Sequence, residues 1–466
     1  MSAPASHSRG GWSLDPVLMM VVALALAVVL TWIVPSGAFQ RGAKGLVKPG
    51  TYATVPKEVT AAALVPHAAA LGEKVAYPAS PVVIVTAIPP GMVRAAGLIF
   101  MITALGGMFG VLRATGTLEV VIERLVALTG GKVTLLTVIL MFTTSAGSSF
   151  LGLISEYLLI IPMFMALSKR LGLEPMFGFA VVTVSAKIGY IASVSNPVIL
   201  MVAQPIAGVP VFSGLVFRLV LWVVFMAIGI IYVLRLTRSA SASAPEAAAT
   251  IAPLEGRHTA IVALLCVAVG VLIFGATARG WKDMEFASFY LLLGAVIAAV
   301  GGMAPRRAIH SMLDGMKSMV LAGLLVGMAK GVEIILQDGQ ILDTIVNVLA
   351  GWASHLPRVM IGMALVGIEM FLGLLIPSGS AKAAVSMPIL VPIAGMSGVS
   401  GQATVLAYLL GNGLINMFAP TSGMLLAYLA TAEISYSRWF RFVLPLFLLL
   451  TALSLVAVSV AVLVYA

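Results

Sequence analysis

The chain has 466 residues, of which 61% are hydrophobic and 9% are charged, and its mean hydropathy is +1.12. A soluble protein carries about a quarter charged residues, so this composition excludes a soluble enzyme and predicts an integral membrane protein. The net charge of +10 fits basic loops that orient membrane spans better than it fits a nucleic-acid partner. The single cysteine, Cys266, excludes an intrachain disulfide.

Apolar runs long enough to span a membrane recur along the whole chain, which predicts an all-α polytopic membrane protein rather than a β-barrel. Residues 1–81 are predicted to form an N-terminal helix, from about Pro16 to Val34, and then an extracytoplasmic loop. Arg9 in front of the helix favours a cytoplasmic N-terminus, and the long span favours a retained helix over a cleaved signal peptide. We therefore expect a multi-pass protein of a bacterial inner (plasma) membrane.

The first half of the chain is predicted to cover residues 82–236. Gly, Ser and Pro residues interrupt its apolar pattern twice, which predicts a re-entrant hairpin over 143–169 and a helix broken near 195–197. In a bilayer, broken backbone is tolerated only where protein or a water-filled cavity satisfies the freed polar groups. A Ser/Ala/Pro-rich cytoplasmic linker and two connecting helices are predicted to follow over 237–307.

The second half of the chain, residues 308–466, carries the clearest interruptions. Lys382 and a run of Ser and Gly residues lie within apolar sequence, which predicts a hairpin over 370–395. The helix that follows is predicted to break near 417–423. Membrane carriers build substrate sites at the bilayer midplane from discontinuous helices of this kind.

The two halves repeat one another in sequence. Four matches share the same order and a near-constant offset: Pro162 with Pro388, Gly172 with Gly398, Ser195-Asn196-Pro197 with Thr421-Ser422-Gly423, and Phe217-Arg218 with Phe440-Arg441. The expected topology starts the first repeat outside the membrane and the second inside, so the repeats are predicted to be inverted. Inverted repeats with broken helices at matching positions are a signature of transporters.

Several motifs along nearly the full length carry a family resemblance. They are Asp15-Pro16, Ile33-Val34-Pro35-Ser36-Gly37, Lys48-Pro49-Gly50-Thr51-Tyr52, Ser378-Gly379-Ser380-Ala381-Lys382-Ala383-Ala384-Val385-Ser386-Met387-Pro388 and Pro420-Thr421-Ser422-Gly423. Through them the chain resembles the YfcC family of DcuC-like dicarboxylate and amino-acid carriers, within the ion transporter superfamily. The resemblance implies two re-entrant hairpins, two interrupted helices, a dimeric scaffold and a mobile transport domain that moves as an elevator.

The chain departs from that family at charged positions. The family commonly has an acid at the position of Asn412 and a small residue at the position of Lys187, and it often has two acids where the first hairpin has only Glu156. These changes remove negative charge and add positive charge, which argues against a copied sodium site. We hypothesise that sodium does not drive transport, and that a proton on Lys187 or Glu156, or exchange against an internal metabolite, supplies the coupling.

Charged residues inside the predicted spans are candidate site residues, because charge at that depth is expensive and marks function. Lys382 is predicted to attract a substrate carboxylate, with snorkelling to the interface as the alternative. Glu156 could pair with Lys187, bind a cation or carry a proton. Lys187 could take the place of a coupling cation or bind an anionic substrate directly. Glu369 is expected to pair with a neighbour.

Polar and small residues at the breaks and hairpins complete the candidate set, because free backbone groups and helix ends there can bind ions and carboxylates. Helix capping alone is the alternative interpretation of their side chains. The set comprises Ser148, Ser149, Ser193, Ser195, Asn196, Pro197, Ser378, Gly379, Ser380, Asn412, Asn416, Pro420, Thr421, Ser422 and Gly423. The histidines form no metal-binding spacing, so neither a metal nor another cofactor is expected.

The sequence therefore predicts a secondary active transporter of a small carboxylate-bearing metabolite: a dicarboxylate, an amino acid or a small peptide. A basic amino-acid antiporter is the first alternative, although Glu156 alone offers little negative charge for a cationic substrate. An intramembrane enzyme would have to rely on a Ser380–Lys382 pair, since the usual hydrolase and nucleotide motifs do not occur. A passive channel is the third alternative. Either H⁺ or Na⁺ remains open as the coupling ion.

Overall fold

A computed structural model describes residues 16–42, 46–59, 64, 75–117, 120, 133–240 and 256–465. The predicted cytoplasmic N-terminus and most of the predicted linker, 241–255, lie outside these residues. Within them, nine helical segments are long and apolar enough to cross a membrane, so the expectation of a multi-pass helical membrane protein is confirmed.

Nineteen helices of the described chain are numbered here in chain order. Those of the first half are α1 (Pro16–Ile33), α2 (Val83–Thr86), α3 (Ile88–Arg94), α4 (Ala96–Ala114), α5 (Val133–Ala146), α6 (Ile161–Arg170), α7 (Pro175–Ala192), α8 (Pro197–Ile206) and α9 (Leu215–Leu234). The later ones are α10 (Gly256–Ala278), α11 (Asp283–Val300), α12 (Pro305–Lys317), α13 (Val320–Asp338), α14 (Leu342–Ala353), α15 (Arg358–Leu375), α16 (Gly379–Met396), α17 (Gly401–Ile415), α18 (Gly423–Thr431) and α19 (Tyr436–Val464).

The loop after α1 folds back onto the second half of the chain. Its two short antiparallel strands, β1 (Gly37–Ala38) and β2 (Ala53–Thr54), form a small ribbon. Arg41 forms an ion pair with Asp343 at 3.0 Å, and the Asp343 carboxylate also accepts the Phe39 N–H. Tyr52 shares a hydrogen bond with Thr344. The ribbon therefore anchors the loop at the start of α14, a long-range pairing that sequence periodicity does not encode.

Both hairpins are longer than the sequence predicted. The first contains α5, a π-helical turn, a 3₁₀ turn and α6, so it covers 133–170 instead of 143–169. The second contains α15 and α16 and covers 358–396 instead of 370–395. The prediction began each hairpin near its Gly- and Ser-rich stretch. The apolar residues before that stretch continue the same helix, and in the second hairpin this helix begins directly after Pro357.

Contacts between the two arms of each hairpin show that the chain reverses direction. The Tyr157 hydroxyl donates to the Thr144 carbonyl at 2.6 Å, and the Lys382 ammonium donates to the Glu369 carbonyl at 2.7 Å. Residues 13 positions apart, as in both pairs, would be separated by about 20 Å in a continuous helix. The reversals lie at residues 152–154, the first tip, and at residues 376–378, the second tip.

Two helices before each hairpin pack against two helices before the other hairpin. Helix α3 packs against α13, and α4 packs against α12. Each crossing is closed by glycine: a Cβ on Gly91 would lie 2.2 Å from the Gly327 carbonyl oxygen, and one on Gly315 would lie 2.1 Å from that of Gly106. Since a Cβ cannot approach backbone so closely, any larger residue at Gly91 or Gly315 would force these helices apart.

Helices α7 and α17 form the interior of the protein, and they contact each other. Nearly every residue of α7 and every residue of α17 from Ala403 to Ile415 is buried. Each is followed by an interruption and a shorter helix, α8 or α18. The two broken helices are thus the ones best shielded from lipid, which is where freed backbone groups can find partners.

Candidate substrate and ion site

The two helix interruptions are placed close to where the sequence predicted them. The first break covers residues 193–196, between α7 and α8, and the second covers 416–422, between α17 and α18. Ser193 ends α7 in a left-handed conformation, with φ of +40°. Asn196 caps α8 by accepting the Val198 N–H at 3.0 Å, and Pro197 is the first residue of that helix. A proline there is favourable because its missing N–H would have no helical partner.

The first break is bound to the first hairpin. The Ser149 hydroxyl accepts the Val194 N–H at 3.1 Å, and its carbonyl accepts the Ser195 N–H at 3.1 Å. The Ser195 hydroxyl donates to the Phe150 carbonyl at 3.2 Å. These bonds satisfy backbone groups that the interruption of α7 would otherwise leave unpaired.

The second tip lies between the two interior helices. The Tyr408 hydroxyl donates to the Gly379 carbonyl at 2.5 Å, and the Asn412 amide donates to the Tyr190 hydroxyl at 3.1 Å. A Cβ on Gly379 would lie 3.0 Å from the Tyr190 hydroxyl and 3.2 Å from the Asn412 amide nitrogen. The start of α16 therefore packs against side chains from both α7 and α17, and Asn412 links the two halves directly.

Lys187 is the exceptional charge in this region. It lies on α7 with 4% of its surface exposed. Its ammonium makes no hydrogen bond or ion pair with any residue that the structure describes, and it lies 5.7 Å from the centroid of the Tyr428 ring. An aromatic face stabilises a cation by about 0.5–2 kcal/mol, much less than burial of an unpaired charge costs. Lys187 is thus a buried cation that lacks an anionic partner within the described part of the chain.

Glu156 lies beside the first tip and does not pair with Lys187. One carboxylate oxygen accepts the Ile154 N–H at 2.8 Å and the Ser155 hydroxyl at 3.5 Å. Within the described ranges, no cationic side chain forms an ion pair with Glu156. The Tyr428 hydroxyl donates to the Ile154 carbonyl, so one tyrosine contacts both the first tip and the Lys187 ammonium. Of the interpretations from sequence, cation binding and proton carriage remain predictions.

Lys382 is fully buried, which does not fit the snorkelling alternative. Its ammonium lies 3.1 Å from a carboxylate oxygen of Glu369, with the two side chains 0% and 1% exposed. It also lies 5.4 Å from the centroid of the Tyr408 ring. Glu369 belongs to α15 and Lys382 to α16, so the ion pair joins the two arms of the second hairpin. The charge that the sequence assigned to substrate binding is therefore neutralised inside the protein.

Three buried polar atoms near the breaks accept or donate no hydrogen bond among the described residues. They are the hydroxyls of Ser148 and Thr421 and the side-chain oxygen of Asn412. Buried polar atoms in native proteins are nearly always paired. These atoms come from the first hairpin, the second break and α17, and each is free to bind a ligand or a water.

Two of the remaining candidates, Ser378 and Ser422, cap helices, and the others have different positions. Ser378 caps α16, and Ser422 caps α18 while donating to the Asn416 side chain at 3.1 Å. Asn416 also donates to the Asn412 carbonyl at 2.8 Å. Pro420 lies within the second break and Gly423 begins α18. Ser380 is exposed and does not contact Lys382 through a hydrogen bond, so a Ser–Lys catalytic pair is not formed.

Sequence reasoning missed several side chains that hold the region together. The hydroxyls of Tyr157 and Tyr408 donate to hairpin carbonyls, that of Tyr428 donates to the first tip, and that of Tyr190 accepts the Asn412 amide. Arg218 donates to the carbonyl of Val194 in the first break. The recurrence of Phe-Arg in both halves was the available signal for Arg218. No sequence pattern distinguished these tyrosines from ordinary apolar packing.

Comparison with known proteins places the chain among carriers. A profile of the DcuC family, described as a C4-dicarboxylate anaerobic carrier, matches residues 14–464. An Escherichia coli K12 protein named "Putative basic amino acid antiporter YfcC" is 30% identical over 377 residues, or 74% of each chain. An uncharacterized protein of Haemophilus influenzae is 26% identical over 374 residues, covering 76% of this chain and 73% of the relative.

Two solved structures align with nearly the whole chain. The YdaH transporter of Alcanivorax borkumensis has a TM-score of 0.45 and 18% identity, covering 96% of this chain and 97% of its own. MtrF of Neisseria gonorrhoeae, from a class of antimetabolite efflux pumps, has a TM-score of 0.45 and 17% identity, covering 98% of this chain and 96% of its own.

Proposed function

We propose a substrate class and a coupling mode for this chain, which belongs to the DcuC family of C4-dicarboxylate carriers and is therefore a membrane transporter. Membership of a carrier family excludes the enzyme alternative. The proposal is secondary active transport of a small carboxylate-bearing metabolite, without sodium as the driving ion. The observation that carries it is the unpaired ammonium of Lys187.

A substrate carboxylate would supply the partner that Lys187 lacks. A buried ammonium without a counter-charge is costly in a membrane protein, and such residues mark substrate or ion pathways. A carboxylate beside it would form a charge-assisted hydrogen bond in a region of low dielectric, where such bonds are strong. The Ser148 hydroxyl, which makes no hydrogen bond among the described residues, offers a further donor. The same ammonium would repel a sodium ion, which supports proton coupling or exchange.

A basic amino-acid antiporter, the activity named for the E. coli relative, remains the runner-up. One observation favours it: Glu156 has no cationic partner among the described residues and could receive an amino group. The second cationic group of a basic amino acid would need a second acid. Glu369, the other carboxylate of the two hairpins, is already paired with Lys382.

The proposed motion is an elevator movement of two inverted repeats. Two observations support a two-fold relation between the halves. The glycine crossings of α3 with α13 and of α12 with α4 are reciprocal. The contact of Tyr157 with the Thr144 carbonyl also recurs, 225 residues later, as that of Lys382 with the Glu369 carbonyl. In line with the family resemblance, we further propose a homodimer in the inner membrane, with a cytoplasmic N-terminus.

The coupling proposal predicts that a sodium gradient does not drive accumulation of the substrate. The purified protein is first screened by thermal shift against succinate, glutamate, alanylalanine and arginine, and the strongest stabiliser is then used for uptake into proteoliposomes. With pH equal on both sides and no counter-substrate inside, a sodium gradient should give no accumulation. A pH gradient or an internal counter-substrate should give uptake that is lost in Lys187→Ala. Sodium-driven accumulation that persists in Lys187→Ala would refute the proposal, and stabilisation by arginine alone would favour the antiporter.

The hairpin topology is tested by cysteine accessibility in a Cys266→Ser background. The variants Arg358→Cys and Ser397→Cys place labels at the two ends of the second hairpin, and both should react with an impermeant maleimide from the same side. The control pair is Ser435→Cys and Tyr465→Cys, at the ends of α19. That helix has 29 residues, or about 43 Å, so these labels should react from opposite sides. Opposite-side labelling at 358 and 397 would mean that the hairpin crosses the membrane.

A further inference from the structure

Arg218 is a buried charge that the transport proposal does not use. It lies on α9, only 1% of its surface is exposed, and it is one of the largest fully buried side chains of the described protein. Its Nε and Nη2 atoms donate to the Val194 carbonyl in the first break, at 3.2 and 3.0 Å. Its Nη1 atom donates to the Ser213 carbonyl at 2.8 Å. No carboxylate of the described residues forms an ion pair with it.

The electrostatics of the first break explain why a cation is stable there without a carboxylate. Val194 directly follows the C-terminal end of α7, where the aligned peptide dipoles leave partial negative charge. The interruption also frees carbonyl groups from helical hydrogen bonding. In membrane carriers, unwound carbonyls and the C-terminal ends of half-helices are the groups that coordinate coupling cations. The guanidinium therefore occupies a position that suits a cation by both criteria.

The second break is closed in a different way. Its carbonyls at Met417 and Phe418 accept the Trp439 indole N–H, at 3.0 Å, and the Tyr436 hydroxyl. Both donors are neutral. Arg441, the sequence counterpart of Arg218, donates instead to the Ser437 carbonyl one turn back in its own helix. Among the described residues, a guanidinium thus binds the carbonyls of the first break and not those of the second.

The guanidinium is also held in place from the other side. The Ser213 carbonyl accepts the side-chain amides of Gln402 at 2.7 Å and of Gln204 at 3.0 Å, in addition to Arg218. Gln204 is fully buried, and Gln402 lies on α17 of the second half. Arg218 therefore connects the first break to the loop before α9. Gln402 connects the same loop to the second repeat, so the guanidinium has little freedom to move away from the break.

We propose that Arg218 is a tethered cation that fills the cation position of the first helix break, so that this break binds no mobile coupling ion. The proposal rests on the proposed transport function for its consequence, which is sodium-independent coupling. Its direct prediction concerns cation binding and needs no transport. Removal of the guanidinium should leave a vacancy that a small cation can enter.

The test compares the thermal unfolding of four purified proteins: wild type, Arg218→Ala, Arg218→Lys and the matched control Arg441→Ala. Each is heated in guanidinium, sodium or potassium chloride at 0.1 M and in choline chloride at the same ionic strength. Ligand that binds only the folded state raises Tm. Arg218→Ala should gain about 2 °C or more from at least one of the three small cations, while the other three proteins should not respond. Arg218→Gln, which keeps a donor but no charge, should respond like Arg218→Ala and replaces it if the alanine variant does not fold.

A purely structural Arg218 would give a different result. Both uncharged variants would then have a lowered Tm, and no cation would raise it selectively. That result would overturn the proposal. An equal change of Tm in all proteins would also overturn it. In proteoliposomes, the uncharged variants should acquire sodium-dependent uptake that the wild type lacks. If neither the wild type nor any variant transports a carboxylate, the transport proposal fails, and the unfolding data still decide whether Arg218 fills a cation position.

Discussion

Replacing Lys187 with methionine should weaken binding of the carboxylate substrate about a hundredfold, or ~2.7 kcal/mol, while making the unliganded protein more stable. The loss of affinity follows because the proposed substrate carboxylate would lose the charge-assisted hydrogen bond from the Lys187 ammonium. The gain in stability follows because the wild-type ammonium is 4% exposed and lacks a hydrogen bond or ion pair among the described residues. A residue that is needed for function at such a site is expected to lower the stability of the folded protein.

Lys330 offers the matched control for this experiment. It is also a lysine in an apolar helix, but its ammonium is already bound to Glu333 at 2.6 Å. Lys330→Met should therefore leave substrate affinity unchanged and should lower stability, because the buried Glu333 carboxylate loses its cationic partner and keeps the Gln337 amide. The measurements are Tm without ligand and a thermal-shift titration with the strongest stabiliser of the carboxylate screen. If Lys187→Met binds that ligand as tightly as wild type does, Lys187 is not a substrate-binding residue.

The interruptions of the helices could be predicted from sequence because they follow from local chemistry. Proline and glycine cannot continue a helix without cost, and serine or asparagine before a new helix caps its first turn. The structure accordingly places breaks at 193–196 and 416–422, with Asn196 and Ser422 as caps. The hairpin boundaries were less accurate, because apolar sequence on the N-terminal side carries no signal that tells a hairpin arm from an ordinary span.

The pairing of side chains across the fold could not be predicted in the same way. Lys382 and Glu369 are 13 residues apart, and their contact depends on where the chain reverses. The offset of 226 residues that relates Pro162 to Pro388 would align Lys382 with Glu156. The hydrogen bonds across the hairpins instead align Lys382 with Tyr157, one residue later. The role of Arg218 depends on the path of α9 past the first break, which no local pattern encodes. Local chemistry thus determines where a helix is interrupted, and tertiary packing determines which charged side chain contacts the interruption.

The Lys382–Glu369 ion pair should stabilise the contact between the two arms of the second hairpin, and it should not bind the substrate. Its ammonium donates to the Glu369 carbonyl at 2.7 Å, as the Tyr157 hydroxyl donates to the Thr144 carbonyl at 2.6 Å in the first hairpin. The two carboxylate oxygens of Glu369 accept no hydrogen bond among the described residues, so the ion pair with Lys382 is what offsets their charge. Lys382→Met would leave this carboxylate buried and unpaired, which costs about 3–5 kcal/mol.

A double variant separates the two roles, because an apolar pair of similar volume can replace a buried ion pair at little cost. Lys382→Met with Glu369→Leu should recover stability to within about 1 kcal/mol of wild type and should bind the carboxylate ligand with wild-type affinity. Tyr157→Phe, which removes the equivalent contact of the first hairpin, should lose only about 1 kcal/mol. The unfolding free energy in mixed micelles and the ligand titration give both quantities. A double variant that is as stable as wild type but binds the ligand at least tenfold more weakly would show that Lys382 contacts the substrate, and Lys187 would then share that role.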